Sequence, residues 1–484
     1  MKSIIVKNSV YYLFLILLAL PLMQKSFQLF KEAPLQGDFY TKKWTGFTFK
    51  TWFNGQYHIE KEAFIDENFG FRISFVRLNN QLLFSLFNIA KAHEIIIGKE
   101  NYLFGTDYIK SYTGEDFIGD EKIKKSVNEL SLINDELKKR GKIFLILIAP
   151  NKCYYYPEYL PDKFSTPGDS TNYKSYLKYL SKSNILFIDF NAWLMAQKHI
   201  TNYLLYPKTG IHWSNYSAAL AAASVVKYLR KNATINIAGF SIEGVELSDW
   251  AKNPDQDIED GCNLLFRIDK PKQFAYPIIK ADDAGRKKPK AFIVSDSYYW
   301  NWSWYGLDTM MFKTPFMGYY YNDVYNISAG RDVINPVSYY GINSLIDQNE
   351  IIILMTTEGK LQSFPWGFIE EANRVLFGKA DEVKKEEFIR KIIVKIKMDN
   401  TWAANVAKKA QEKKLSIDEM LRLDAEYVVN KDYKNLVIED YIEKIHNDKE
   451  RLKLIEQKAK DKNIPLDEMI KQDAAWMAEH ENSQ

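Results

Sequence analysis

The sequence predicts an α/β fold with a mainly parallel sheet, followed by an all-helical repeat module. Three observations carry this reading: short apolar runs, helix-period segments between some of them, and a charged C-terminal region that repeats at a fixed offset. The apolar runs lie at residues 143–149, 185–190, 291–294 and 351–355. Strands this short and this uniformly apolar are buried on both faces, as in parallel sheets covered by helices. Helical periodicity over 123–137 precedes the first run, and that over 218–229 separates the second from the third. Strands alternating with helices give a sheet clad on both sides. Residues that meet ligand then lie beyond the C-terminal ends of its strands. Residues 232–279 are short and irregular in pattern and read as an insertion or hairpin-rich flap. Upstream, Phe71, Phe75, Leu78, Leu82 and Leu86 recur every three or four residues, which predicts a helix packing one face on a core.

From residue 384 to 481 the chain is highly charged, helical in period and internally repeated. Ile396-Lys-Met-Asp399 aligns with Ile445-His-Asn-Asp448 at an offset of 49 residues, and Lys409-Ala410 with Lys458-Ala459. Leu415 to Met420 aligns with Ile464 to Met469, and Asp424-Ala425 with Asp473-Ala474. Ser416 and Pro465 stand where a helix would start, with Glu419 and Glu468 three residues later. Each copy is expected to be a helical hairpin, and two copies to stack into a small module. Nothing in it has the residue types of a catalytic site, so docking or spacing is its expected role.

Composition narrows the function classes. Hydrophobic residues make up 46% and charged residues 26%, which suits a globular body rather than a disordered or polytopic chain. The net charge of +3 gives no general attraction to nucleic acid. Aromatic residues reach 15%, with 31 Tyr and 11 Trp, a content that suits stacking on sugars and equally an aromatic core. Cys153 and Cys262 are too few for a zinc site, and their spacing leaves open whether they pair. At the N-terminus Lys2 and Lys7 lead into an apolar run over 10–23, closed by Lys25. No small-x-small cleavage pattern follows, so an uncleaved signal anchor is expected, with the remainder extracytoplasmic.

Two segments suit catalytic side chains. In Ala291-Phe-Ile-Val-Ser-Asp-Ser297-Tyr298 an apolar strand ends in serine, which presents a hydroxyl at the sheet edge. A helix beginning there would direct backbone N–H groups at an oxyanion. In Tyr206-Pro-Lys-Thr-Gly-Ile-His212-Trp213-Ser-Asn the histidine sits in a loop before a helix. The other histidines are His58, His93, His199, His446 and His480, and no two stand four residues apart as metal ligands would on a helix. His212 is therefore the expected base for Ser297. No cofactor or metal is expected.

Together, Gly210-x-His212-Trp213 and Ser-Asp-Ser297-Tyr298 resemble the SGNH hydrolase-like family of the alginate O-acetylation proteins AlgJ and AlgX and the related DHHW proteins. Asn68-Phe-Gly-Phe-Arg72, Ile97-Gly-Lys-Glu-Asn-Tyr-Leu-Phe104, Ala149-Pro-Asn-Lys152 and Tyr156-Pro-Glu-Tyr-Leu-Pro161 extend the resemblance over roughly residues 50–375. It implies an SGNH-like three-layer sandwich over 31–380, between an anchor at 1–30 and the helical repeats at 381–484. It implies an O-acetyltransferase acting on an extracytoplasmic, periplasmic polysaccharide through an acyl-Ser297 intermediate. A membrane-bound acyltransferase would deliver the acetyl groups. Asn322, Lys152 and Trp213 are expected as oxyanion or substrate-binding residues.

One position departs from the family pattern. The family's Asp-x-His would place an aspartate where this chain has Gly210. Glu358, after the run 351–355, is the expected substitute, while strand alternation points Asp296 away from Ser297. A Ser297–His212 dyad, an acetyl esterase and a non-catalytic glycan-binding relative stay open on the sequence.

Overall fold

The computed structural model describes residues 2–480 apart from 38–45, 234, 271, 330–331, 338–340, 379 and 463. A short hairpin, β1 (Ile95–Ile97) and β2 (Leu103–Gly105), precedes the main sheet. The sheet has seven strands: β3 (Ile143–Ala149), β4 (Leu186–Asp189), β7 (Lys290–Ser295), β8 (Lys313–Tyr319), β9 (Asp323–Asn326), β10 (Asp332–Pro336) and β11 (Ile351–Thr357). Their spatial order is β10-β9-β8-β7-β11-β3-β4. The five strands from β8 to β4 run parallel, and β9 and β10 add an antiparallel edge. The four apolar runs in the sequence are thus the four adjacent strands β7, β11, β3 and β4.

Alternate residues of these strands feed two cores, as a period of two requires. Leu145, Leu147, Ile293, Ile353 and Met355 face the helix Asn215–Asn232, whose Ala218, Ala219, Ala221 and Ala222 permit close packing. Phe144, Ile146, Val294, Ile352 and Leu354 face the helix Asp120–Lys139 and its neighbour Phe368–Phe377. Residues 232–279 hold the flap that the irregular pattern suggested: β5 (Gly239–Ser248) pairs antiparallel with β6 (Phe274–Asp282). Between them lies the short helix Asp257–Cys262.

The helix Arg72–Phe87 forms where the spacing predicts it, but its apolar stripe does not face the core. Phe75, Leu78, Leu82 and Leu86 are exposed, and the residues turned inward are Asn80 and Phe84. The reason is a polar tie. Asn80 Nδ2 donates to the Cys262 carbonyl at 2.9 Å, and Phe84 packs with Ile258, Cys262 and Ile268. Cys153 and Cys262 are both free and buried, in different cores. The N-terminal helix covers Lys2–Phe27, with the side chains of Lys2, Ile4, Ile5, Val6 and Lys7 outside the described residues. Among the described residues no helix is long and apolar enough to cross a membrane.

The 49-residue repeat is realised contact for contact. Ile396, Val406, Ala410, Met420, Leu421 and Ala425 are buried in one cluster, and Ile445, Ile455, Ala459, Met469, Ile470 and Ala474 in the other. Lys409 pairs with Asp424 at 2.7 Å, and Lys458 with Asp473 at 2.8 Å. Ser416 and Glu419 close a reciprocal capping box. Each copy is larger than the expected hairpin. The helix Ile417–Asn447 is interrupted by non-helical backbone at Asp432, so its second half parallels Ala380–Met398 and each copy holds three helices. The expected module boundary at 484 lies outside the described residues.

Candidate active site

The register of the parallel strands brings three chain exits to one edge. Thr357 of β11 pairs with Ala149 of β3, and Met355 pairs with Ser295 of β7. Ser297 opens a single turn, Ser297–Tyr299, just past β7. Asp296 fixes that turn: Oδ1 accepts from Tyr298 N at 3.1 Å and Oδ2 from Thr357 N at 2.6 Å. Its carboxyl therefore ties the β7 exit to the β11 exit, and burial raises its pKa above the ordinary carboxylate value.

His212 approaches from the loop before Asn215–Asn232. Ser214 caps that helix by accepting from Ser217 N at 3.1 Å, and its hydroxyl donates to Leu204 O at 2.6 Å. The loop is held from below by Lys152, which is buried and donates to the carbonyls of Lys208 and Gly210 at 2.7 and 2.8 Å. Burial pulls the Lys152 ammonium down to about 7, opposed by the charge of Asp257. Two phenols grip the next carbonyl: Tyr298 and Tyr206 donate to Ile211 O at 2.6 and 2.8 Å. Both are wholly buried, which raises their pKa far above that of free tyrosine and keeps them as donors.

The result is a continuous chain of polar contacts. His212 Nε2 lies 2.9 Å from Ser297 Oγ, and His212 Nδ1 lies 2.5 Å from Asp257 Oδ2. Asp257 Oδ1 accepts from the backbone of Ile211 and Ile258, each at 2.8 Å. A carboxylate on Nδ1 fixes the tautomer that leaves Nε2 free to take a proton. Ser297 opens onto a cleft whose walls include Tyr108, Ile211, Tyr320, Thr357 and Lys360. Tyr320 and Tyr321 both have positive φ, at 47° and 55°, a backbone state that costs energy for bulky side chains. Tyr320 lines the cleft together with Ser297.

Sequence reasoning missed Asp257 and placed four other residues differently. Glu358 does not meet His212: its carboxyl accepts from Asn191 Nδ2 at 2.6 Å and from Ser111 at 3.3 Å. It is fully buried, and desolvation drives its pKa well up. Asn322 is exposed and donates to Asp323 at 3.2 Å, away from Ser297, because the turn presents Tyr320 instead. Lys152 spends its donors on backbone carbonyls, and Trp213 is buried among Phe190, Tyr298 and Trp302. Both underlie the loop rather than line the cleft.

Gly210 sits where the inserted segment leaves little room for a side chain. A Cβ at this position would lie 3.0 Å from the Asp255 carbonyl oxygen, so the inserted segment occupies that space. The only signal in the sequence was an acidic run, Asp255-Gln-Asp257-Ile-Glu-Asp260, with no spacing that singled out one member. Asp255 itself is buried: its Oδ1 accepts from Asn215 N at 3.0 Å, and burial raises its pKa to about 8. Among the described residues no group of three or more His, Cys, Asp or Glu side chains is set to hold a metal.

Residues 95–249 match the family model of the SGNH hydrolase-like domain, acetyltransferase AlgX. That segment contains His212 and ends before Asp257 and Ser297. The chain is 25% identical over 186 residues to the probable alginate O-acetylase AlgJ of Pseudomonas syringae pv. tomato, covering 38% of this chain and 45% of the relative. It therefore spans a little under half of that relative's length. The solved O-acetyltransferase domain of Pseudomonas putida AlgJ aligns with a TM-score of 0.40 at 17% identity, over 58% of this chain and 98% of that one. Pseudomonas aeruginosa AlgX aligns with a TM-score of 0.37 at 13% identity, over 59% and 67% respectively. The resemblance to the SGNH-like alginate O-acetylation proteins, drawn from the motifs, holds.

Proposed function

We propose that the chain is an O-acetyltransferase that moves an acetyl group onto a polysaccharide hydroxyl through Ser297. The observation that carries this reading is the unbroken Ser297–His212–Asp257 alignment at the mouth of the cleft. Ser297 Oγ attacks the acetyl carbonyl carbon while His212 Nε2 takes its proton. The bond to the donor's leaving group then breaks, and His212 returns the proton to that group. In the second half-reaction a sugar hydroxyl loses its proton to His212 and attacks the acetyl-serine. The sugar ester leaves, and Ser297 recovers its proton from His212. Asp257 stabilises the imidazolium formed in each half.

Two donors suit the oxyanion. Asp296 takes the N–H of Tyr298, which leaves that of Ser297 at the start of the turn, and Tyr320 brings a phenol donor to the same cleft. The N-terminal helix suits an anchor, because eight consecutive apolar or aromatic residues from Tyr11 to Leu18 are exposed. The body would then stand outside the cytoplasm beside a membrane-bound acyltransferase. A boundary at about 380 is supported by the separate clusters of the repeat module, which begin at Phe388.

The test is transfer from an activated acetyl ester, with and without an oligosaccharide acceptor. An acetylated acceptor that Ser297→Ala abolishes supports transfer. Serine-dependent acetate release alone would make the chain an esterase, and serine-independent behaviour throughout would refute catalysis.

A further inference from the structure

The helix Arg72–Phe87 carries an outer stripe, Phe75, Leu78, Leu82 and Leu86, that is 44–69% exposed. Its orientation is not free to rotate that stripe inward, because Asn80 and Phe84 on the opposite side are fixed to the segment 258–268. The Gln81 side chain adds a second tie by accepting from Phe266 N at 3.0 Å. An apolar stripe held outward by its own polar face has to be covered by something.

Two further observations say what covers it. The start of Arg72–Phe87 is tied to the end of the apolar N-terminal helix: Lys25 Nζ donates to Asn68 Oδ1 at 3.0 Å, and the Phe30 and Phe71 rings lie 6.2 Å apart. Gly70 leaves no room for a side chain against the Pro21 carbonyl. Between the two helices in sequence stands an exposed aromatic cluster, in which Trp52, Tyr57 and Phe47 pack mutually at 5.4–5.6 Å while Phe49 and Phe53 project beyond it. Trp and Tyr concentrate where lipid headgroups meet water, and amphipathic helices lie in that plane with their apolar faces immersed.

We propose that the outer face of Arg72–Phe87, with the aromatic cluster at 47–57, lies on the lipid bilayer that receives the N-terminal helix. This rests on the anchoring read above. Its consequence concerns catalysis, because the inner face of the same helix grips the segment that begins at Asp257. The acid-bearing segment is thereby held at a fixed place relative to the membrane surface.

The experiment uses the full chain in vesicles of phosphatidylethanolamine and phosphatidylglycerol. Leu82→Cys is labelled with an environment-sensitive fluorophore, and the unsubstituted chain, whose cysteines are buried, gives the labelling background. Lys125→Cys, on the exposed side of Asp120–Lys139, serves as the control. The expected result is a blue shift at position 82 and quenching by headgroup-proximal nitroxide lipids, with neither at position 125. Co-flotation with vesicles but equal, unshifted emission at both positions would overturn the proposal and leave the anchor standing. Shielding at position 82 that rises with protein concentration in detergent, without lipid quenching, would overturn it in favour of a second copy of the chain. Failure to float at all would remove the anchor and the proposal together. None of these outcomes depends on acetyl transfer, so they stand apart from the fate of the catalytic reading.

Discussion

Two carboxyl groups near the C-terminal edge of the sheet have opposite surroundings. Asp257 sits on the inserted segment with its side chain 23% exposed and shares its two oxygens between His212 and two backbone N–H groups. Glu358 sits at the exit of β11, fully buried, and spends its oxygens on Asn191 and Ser111. Position in the fold favoured Glu358, and the contact belongs to Asp257. A strand exit under the helical layers is the wrong place for a group that must stay charged, because desolvation there favours the neutral acid. A loop that reaches the edge from outside leaves its carboxyl partly in contact with water.

This contrast can be broken most sharply at Asp257. Asp257→Asn is expected to lower kcat for acetyl transfer by about 10²–10⁴-fold with little change in thermal stability, since the amide keeps the shape but holds the wrong tautomer. Steady-state kinetics on the full chain measure this, and a loss under threefold would remove Asp257 from the mechanism. Gly210→Asp in that background is expected to give no rescue, because a side chain there meets the Asp255 carbonyl. At Glu358 the expectation reverses. Glu358→Ala should cost about 1–3 kcal/mol in denaturant unfolding, through the stranded Asn191 amide, with per-molecule activity retained. Glu358→Gln should leave both quantities close to the parent, and a rate loss matching that of His212→Ala would restore Glu358 as a catalytic group.

A smaller effect concerns the insertion's buried acid, Asp255, as distinct from Asp257. Asp255 releases its proton near 3.8 when unfolded and at about 8 when folded. Between those values the folded chain binds more protons, so this group makes stability fall as pH rises from about 4 to 8. Asp255→Asn should flatten that part of the stability profile, and thermal melts across the range would show it. An unchanged slope would mean that Asp255 is ionised in the folded chain.

Legibility followed burial. The strands β3, β7 and β11 were readable because burial on both faces leaves runs with no polar residue, and the partly buried β4 was readable because its run is broken only by Asp189. β8 contains Pro315 and Gly318, and β9 has only four residues, Asp323–Asn326, so neither leaves such a run. Ser297 and His212 were readable from local context, one ending a strand and one opening a helix. Asp257 was not, since its pairing with His212 joins residues 45 positions apart across a helix and a strand and has no period. Arg72–Phe87 was readable as a helix but not as to which side faces inward, because Asn80 overrode the apolar stripe through a single hydrogen bond to Cys262.

The repeat module carries one more consequence. Lys391 donates to Asp440 at 3.0 Å, and these residues occupy the same slot in the two copies, 49 positions apart. Equivalent slots joined by opposite charges make a seam that is matched between unlike members and mismatched between like ones. Two identical copies of either unit would set lysine on lysine or aspartate on aspartate, so the duplicated halves have diverged into complementary partners. The module behaves as a heterodimer written in a single chain.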